Sequence, residues 1–188
     1  IMNSFYKDKV IIVTGASSGI GLASVTRFAS LGAKVVLAAR SLDKLEKIAE
    51  QLSNSQQSTA NVLCVKTDVT KEEDCKNLIE QTVSYFGKID VLVNNAGISM
   101  RAVFKDMDLS VIKTLMDTNF WGTVYCTKYA LPYLLETKGS VVGVIYLNIL
   151  RKKGVISVKE MEERQINTLD DYQSEDEIPD SESIDKFS

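Results

Sequence analysis

The stretch TGASSGIG, residues 14–21, follows an apolar run at 10–13 and precedes a segment with helical periodicity. Gly15 suits a tight turn out of a strand, Gly19 lets the backbone approach a phosphate closely, and Gly21 lets a helix pack on a sheet. The N–H groups at the start of that helix would face an anion, which the helix dipole favours. Taken alone, the three glycines are also compatible with a plain tight turn.

Short apolar runs and longer amphipathic segments alternate along the rest of the chain. The predicted strands are 10–13, 34–38, 62–65, 90–93 and 140–145. The predicted helices are 19–31, 42–52, 71–86 and 109–135. Continuous Val, Ile and Leu runs separated by helices are typical of parallel strands that are covered on both faces. The sequence therefore predicts an α/β fold with a Rossmann-type, doubly wound parallel sheet of order 3-2-1-4-5 and a ligand crevice between strands 1 and 4.

The charge is unevenly distributed over the 188 residues, although the net charge is only −3. Residues 159–188 contain 11 acids and 3 bases, a net charge of −8, and residues 1–158 carry a net charge of +5. We predict a Rossmann-type dinucleotide-binding domain over 1–158 and an acidic, largely disordered tail over 159–188. The low net charge argues against nucleic acid as a partner.

The chain contains 3 Cys and no His, which excludes a Cys/His zinc site, and no metal is expected. Reduced thiols fit a reducing compartment. The first ten residues lack an apolar signal core, and the longest apolar run, 141–150, is too short to span a bilayer. We therefore expect a cytoplasmic protein without a membrane span.

Several motifs together resemble the short-chain dehydrogenase/reductase family. They are TGASSGIG at 14–21, Asp68 after the third strand, NNAG at 94–97 and NFWG at 119–122. Their order and spacing match the family over about residues 7–145. Within the family, the segment from NNAG onward looks most like the carbonyl and hydroxysteroid reductases.

The resemblance implies a role for each matching residue. Gly15, Gly19 and Gly21 would form the pyrophosphate turn, and Asn119 would be the catalytic Asn that kinks its helix and holds a water in the proton relay. Asp68 and Val69 would contact the adenine, although Asp68 could instead cap the helix that starts near Thr70. The other positions assigned to the nicotinamide cofactor are Ser17, Ser18, Ile20, Asn95, Ala96 and Gly97, with Asn94 beside them.

The second predicted strand ends in VVLAAR, residues 35–40, without the carboxylate that would bind an NAD ribose. Arg40 is placed to pair with a 2′-phosphate instead, so NADP(H) is favoured over NAD(H). The alternative is that Arg40 is a solvated residue at a strand end.

Carbonyl reduction in the family also needs a Ser after the fifth strand and a Tyr followed four positions later by Lys, so that both reach from one helix face. None of the 7 Tyr has a Lys at that spacing, and Ile145 and Tyr146 occupy the positions of the family's Ser pair. The resemblance thus implies a carbonyl or alcohol oxidoreductase, with little activity expected as written. The alternatives are a non-catalytic nucleotide-binding or interaction module, or a truncated product. A homodimer through the helix at 109–135 is possible.

Overall fold

The computed structural model describes residues 5–54, 62–99 and 106–144. They all lie within one compact unit, Ile1–Tyr146. The predicted domain boundary after residue 158, the acidic tail at 159–188 and the last residue of the predicted fifth strand, Ile145, lie outside the described residues.

The described residues form five strands and five α-helices, with one helix after each of the first three strands and two after the fourth. The strands are β1 Val10–Thr14, β2 Lys34–Ala39, β3 Val62–Lys66, β4 Val91–Asn94 and β5 Ser140–Gly143. The helices are α1 Gly19–Ser30, α2 Leu42–Asn54, α3 Glu72–Phe86, α4 Leu109–Met116 and α5 Gly122–Thr137, with a π-helical turn, Asp117–Trp121, between α4 and α5. Most boundaries agree with the sequence prediction within one or two residues, but the helix predicted over 109–135 is interrupted by the π-helical turn.

The five strands form one sheet of order β3-β2-β1-β4-β5 in which every neighbouring pair is parallel. The predicted fold class and strand order are confirmed. At the carboxyl end of β1, Thr14 is paired with Ala38 of β2, and Val13 with Val93 of β4. The ends of these three central strands therefore meet at one edge of the sheet, where β2 and β4 lie on either side of β1.

The core consists of one apolar layer on each face of the sheet. Successive residues of β1 contribute to opposite layers: Val10 and Ile12 pack with α3 and α5 residues, and Ile11 and Val13 pack with α1 and α2 residues. All five residues of β1 are buried. Each fully buried Val or Ile stabilises the fold by about 1.5–3 kcal/mol relative to an exposed one. This burial on both faces explains why the strands are continuous apolar runs and do not alternate with polar residues.

The cysteines Cys64, Cys75 and Cys126 are free thiols, and the last two are buried. Across the part of the chain that the structure describes, no helix is both long and apolar enough to cross a membrane.

Candidate functional site

The glycine turn connects β1 to α1 at the carboxyl edge of the sheet. Gly15 and Gly19 have φ values of +67° and +56°, in the left-handed region that favours glycine. A Cβ on Gly21 would overlap the Gly15 carbonyl oxygen and lie 2.5 Å from Nδ2 of Asn95. The turn therefore needs glycine at 15 and 19 for backbone conformation, and at 21 for space.

The start of α1 presents backbone donors that the helix itself does not use. Ser18 precedes the helix in an extended conformation and makes no side-chain capping hydrogen bond. The first hydrogen bond of the helical ladder runs from the N–H of Leu22 to the carbonyl of Ser18, at 3.2 Å. The N–H groups at 19–21 therefore lie ahead of the intrahelical ladder, at the positive end of the helix dipole. Ser18 and Ile20 are exposed beside them, and Ser17 is half-buried.

The segment after β4 is tied to the glycine turn by Thr14 and Asn95. The Thr14 hydroxyl oxygen accepts hydrogen bonds from the N–H groups of Asn95 and Ala96, both at 3.0 Å. The Asn95 side-chain amide donates to the carbonyls of Thr14 at 2.9 Å and Gly15 at 3.3 Å. This pairing fixes the distance between the two segments that border the crevice, and leaves Gly97 exposed at its rim.

Two buried amide oxygens at the end of β4 have no hydrogen-bond partner among the described residues: Oδ1 of Asn94 and Oδ1 of Asn95. Nδ2 of Asn94 donates to the Thr127 hydroxyl at 3.0 Å. A buried acceptor without a partner costs free energy, so such atoms usually bind water or a ligand. The N–H groups at the start of α1 and the glycine cradle fit a phosphate group, whereas these oxygens fit the hydroxyl or amide donors of a polar ligand or water.

The loop after β3 contains Asp68 and the buried Val69. One carboxylate oxygen of Asp68 accepts hydrogen bonds from the N–H of Thr70 at 3.2 Å and from its hydroxyl at 2.8 Å. Helix α3 begins at Glu72, and Lys71 is the residue at its N-cap position. The carboxylate of Asp68 therefore closes a turn ahead of the helix. The alternative that Asp68 caps the helix is wrong, because Lys71 occupies the N-cap position.

The π-helical turn carries Asn119, and its side chain is anchored by two backbone bonds. Oδ1 of Asn119 accepts from the N–H of Ile98, and Nδ2 donates to the carbonyl of Ile98, both at 2.9 Å. Gly122, which follows the turn, packs against the loop after β3: a Cβ there would lie 2.8 Å from Cβ and Cγ2 of Val69. The π-helical turn is thus connected to the segment after β4 by Asn119 and lies beside the loop after β3.

Arg40 follows the last residue of β2 and is exposed. The turn after β1 lies beside this strand end, because the N–H of Ala16 donates to the carbonyl of Ala38 at 3.2 Å. The structure thus brings the sequence-predicted cofactor residues to one edge of the sheet, from the four connections that follow β1, β2, β3 and β4. Within the described ranges, no group of three or more His, Cys, Asp or Glu side chains could hold a metal ion.

Sequence reasoning did not single out Thr14, Thr127 or Asp74, whose carboxylate holds the N–H of Asp68 at 2.9 Å. For Thr14 a signal was present, because a hydroxyl at the end of a buried strand needs a partner. Thr127 and Asp74 lie on helices whose periodicity does not reveal their contacts.

Comparison with known proteins adds family information to this geometry. The family model described as short chain dehydrogenase matches residues 9–152. The 11-beta-hydroxysteroid dehydrogenase-like 2 of Arabidopsis thaliana is 42% identical over 137 residues, which cover 72% of this chain and 44% of that protein. The 11-beta-hydroxysteroid dehydrogenase A of Arachis hypogaea is 43% identical over 135 residues, covering 71% of this chain and 38% of that protein. The chain thus spans less than half the length of these curated relatives.

Two solved structures share the fold. An alcohol dehydrogenase from the archaeon Thermococcus sibiricus, complexed with 5-hydroxy-NADP, superposes with a TM-score of 0.70 at 32% identity, covering 73% of this chain and 57% of that one. A short-chain type dehydrogenase/reductase from Mycobacterium marinum gives a TM-score of 0.69 at 27% identity, covering 76% of this chain and 58% of that one. The strand order, the glycine turn and the family match agree, and this chain belongs to the short-chain dehydrogenase family.

Proposed function

We propose that the described part of the chain binds a nicotinamide dinucleotide, NADP(H) in preference to NAD(H), and is the cofactor-binding part of an oxidoreductase for small carbonyl or alcohol substrates. The observation that carries the proposal is the start of α1, where the N–H groups at 19–21 lie ahead of the helical ladder and Gly15, Gly19 and Gly21 leave room for an anion. A pyrophosphate is the group that such a turn binds in doubly wound sheets.

The remaining cofactor residues would lie around that pyrophosphate. The backbone at 95–97 borders the side of the crevice near β4 and would face the nicotinamide ribose. The loop with Asp68 and Val69 follows the outer strand β3, and would contact the adenine. The buried Oδ1 atoms of Asn94 and Asn95 at the end of β4 support this assignment, because they need hydrogen-bond donors such as ribose hydroxyl groups.

The NADP(H) preference rests on Arg40. Residues 35–39 are buried and apolar, so the end of β2 offers no carboxylate for the ribose hydroxyl of NAD(H). The exposed guanidinium of Arg40 follows directly and can form a charge-assisted pair with a 2′-phosphate. The relative from Thermococcus sibiricus, solved with 5-hydroxy-NADP, supports the same preference.

Asn119 is the proposed catalytic residue on the described elements. Both ends of its side-chain amide bond the backbone of Ile98, so the residue holds the π-helical turn beside the segment that would line the nicotinamide ribose. The bound cofactor supplies the hydride. The proton needs an acid of suitable pKa, and the sequence has no Tyr with a Lys four positions later. We propose that turnover by the chain as written is low for this reason.

The first test is a titration with NADPH and with NADH, followed through Trp121 and nicotinamide fluorescence. We expect saturable binding that is tighter for NADPH. Arg40→Ala should weaken NADPH by about 10- to 100-fold, the loss expected for a charge-assisted bond, and leave NADH unchanged. Gly21→Ala should weaken both nucleotides, because its methyl group would displace Asn95 and the Gly15 carbonyl. Equal affinity of the wild type for both nucleotides would refute the preference, and binding of neither would refute the proposed function.

The second test measures NADPH oxidation with a panel of small ketones and aldehydes. Low turnover despite saturable NADPH binding is the expected result. A turnover number near those of ordinary enzymes, about 1 to 1,000 per second, would show that another residue supplies the proton.

We also propose that the surface of α4, the π-helical turn and α5 mediates a homodimer, since it exposes large apolar side chains. Leu109 and Leu135 are 68% and 69% exposed, and Phe120, Trp121 and Leu131 are each more than 40% exposed. Sedimentation equilibrium should show a dimer that Leu135→Lys weakens. A monomer at all concentrations would contradict this assignment.

A further inference from the structure

The loop after β3 is held by one helix and confined by another. The N–H of Asp68 donates to Oδ2 of Asp74 at 2.9 Å, and the thiol of Cys75 donates to the carbonyl of Val69 at 3.5 Å. Both acceptor and donor lie in the first turn of α3. Gly122 of α5, the neighbouring helix in the same layer, brings its backbone so close to Val69 that a methyl group would not fit.

The side-chain hydrogen bonds of Asp68 that the structure shows are not made to α3 or α5. Its Oδ1 atom is engaged by Thr70, two residues further on, and this bond shapes the loop internally. The position of the loop relative to the sheet therefore depends on its backbone contacts. Among these, the bond from the N–H of Asp68 to Asp74 is charge-assisted, and such bonds are about twice as strong as neutral ones. The thiol bond from Cys75 is weaker.

Asp74 is well placed for this role. As the third residue of α3 it lies in the first helical turn, where the helix dipole favours a carboxylate. Its side chain is only half-buried, and the amide it holds belongs to the residue directly before Val69. A shift of Val69 toward α5 is blocked by Gly122. Asp74 therefore holds the backbone of Asp68, and the close approach of Gly122 limits the space next to Val69.

We propose that Asp74 is a positioning residue for the adenine end of the cofactor site: by holding the N–H of Asp68 it fixes the backbone of Asp68 and Val69 where the adenine would lie. The inference rests on the proposed cofactor function. It assigns Asp74 no contact with the cofactor. In this role the carboxylate of Asp74, on α3, affects the affinity for the adenine half of the cofactor through the backbone of Asp68 and Val69.

The test compares Asp74→Ala with Asp74→Asn, using three probes: NADPH, 2′,5′-ADP for the adenine half, and reduced nicotinamide mononucleotide for the other half. Asp74→Ala removes the acceptor and should weaken NADPH and 2′,5′-ADP by the same factor, about 10- to 100-fold, as for one hydrogen bond to a charged group. Reduced nicotinamide mononucleotide should bind as it does to the wild type. Asp74→Asn keeps an oxygen acceptor and should recover most of the affinity. The matched control is Glu73→Ala, an exposed carboxylate in the same helical turn.

Different failures have different readouts. If the wild type binds none of the probes, the proposed function fails and the positioning role fails with it. If the wild type binds NADPH but Asp74→Ala binds 2′,5′-ADP normally, the positioning role alone is overturned. An equal loss for all three probes, without rescue by Asn, would show a general structural effect and would also overturn it. If Asp74→Ala does not fold, Asp74→Glu, which keeps the charge but displaces the acceptor, should show the same selective loss, and normal 2′,5′-ADP binding by that variant would refute the role.

Discussion

Asp90 is a nearly buried carboxylate just before β4, with a side chain only 5% exposed. Its two oxygens bond Lys9 and Lys88, each at 2.8 Å, and Oδ2 also accepts from the N–H of Val10 at 2.9 Å. Burial alone would raise the pKa of Asp90, but the hydrogen bonds from Lys88, Lys9 and Val10 outweigh it and hold the pKa below its ordinary value. The ionised carboxylate therefore fastens the start of β4 to the start of β1.

Because the pKa of Asp90 is depressed in the folded state, its contribution to stability is present above the ordinary Asp pKa of about 4 and is lost as the pH falls through the folded value. Asp90→Asn should lower the free energy of unfolding by about 1–3 kcal/mol at pH 7, since the amide cannot satisfy both lysines. The difference from the wild type should shrink below about pH 4. Urea titrations from pH 7 to pH 3 measure this, with Asp43→Asn, at an exposed position of α2, as the control. A penalty that is the same at both pH values would contradict the proposed role of the charge.

The cysteines differ in the environment of their thiols. The pKa of the Cys126 thiol is raised, first by its hydrogen bond with Cys75 and then by burial, and the pKa of the half-buried Cys64 is raised by burial and by Glu46. Since the thiolate is the reactive form, Cys64 and Cys126 should react slowly, and Cys64 should react before the buried Cys75 and Cys126 because it is the most accessible. Iodoacetamide labelling at pH 8, followed by peptide mass spectrometry, gives the order. Modification of Cys126 ahead of Cys64 would contradict it, and Cys64→Ser should remove the early phase.

At the scale of the elements, the strands could be predicted because each is short, apolar and buried on both faces. The helical periodicity over 109–135 predicted a single helix, since one extra residue in a turn leaves no mark on an amphipathic pattern. The resemblance, by contrast, implied a kink at Asn119, and a π-helical turn is present there. The buried hydroxyl of Thr14 signals that a partner is needed, but which residues bind it could not be predicted. The bonds of Thr14 join residues 81 and 82 positions apart in the chain, and no local pattern encodes such a pair.

Gly122 is the point where α5 meets the loop after β3. Replacement by Ala would gain up to about 1 kcal/mol in helix propensity, but the added methyl group would press on Val69, and overpacking of this kind costs about 1–3 kcal/mol. The overpacking term is the larger, so Gly122→Ala should lower the free energy of unfolding, and it should weaken NADPH because Val69 belongs to the proposed adenine loop. Urea unfolding and NADPH titration measure the two effects, and Glu136→Ala, on the exposed side of α5, is the control. If Gly122→Ala is less stable but binds NADPH with unchanged affinity, the packing of Val69 against α5 does not affect cofactor binding.

At the scale of the whole molecule, the sheet has a protected centre and a less protected edge. Strand β1 lies between β2 and β4 and all its residues are buried, whereas every residue of β5 is exposed. Amide exchange through local opening is slowest where burial and hydrogen bonding are greatest. The amides of β1 and β2 should therefore exchange most slowly, close to the rate set by global unfolding, and those of β5 faster.

Hydrogen exchange with and without NADPH tests the fold and the site in one experiment. Saturating NADPH should slow exchange at 15–21 and 95–98, the two segments that Thr14 and Asn95 join, and should leave the exposed carboxyl end of α5 unchanged as an internal control. Because a ligand that binds only the folded state stabilises it by mass action, NADPH should also slow the globally exchanging amides of β1. Slowing confined to β1, without local protection at 15–21, would show stabilisation by binding elsewhere. Exchange in β5 as slow as in β1 without NADPH would show that this strand is covered in solution.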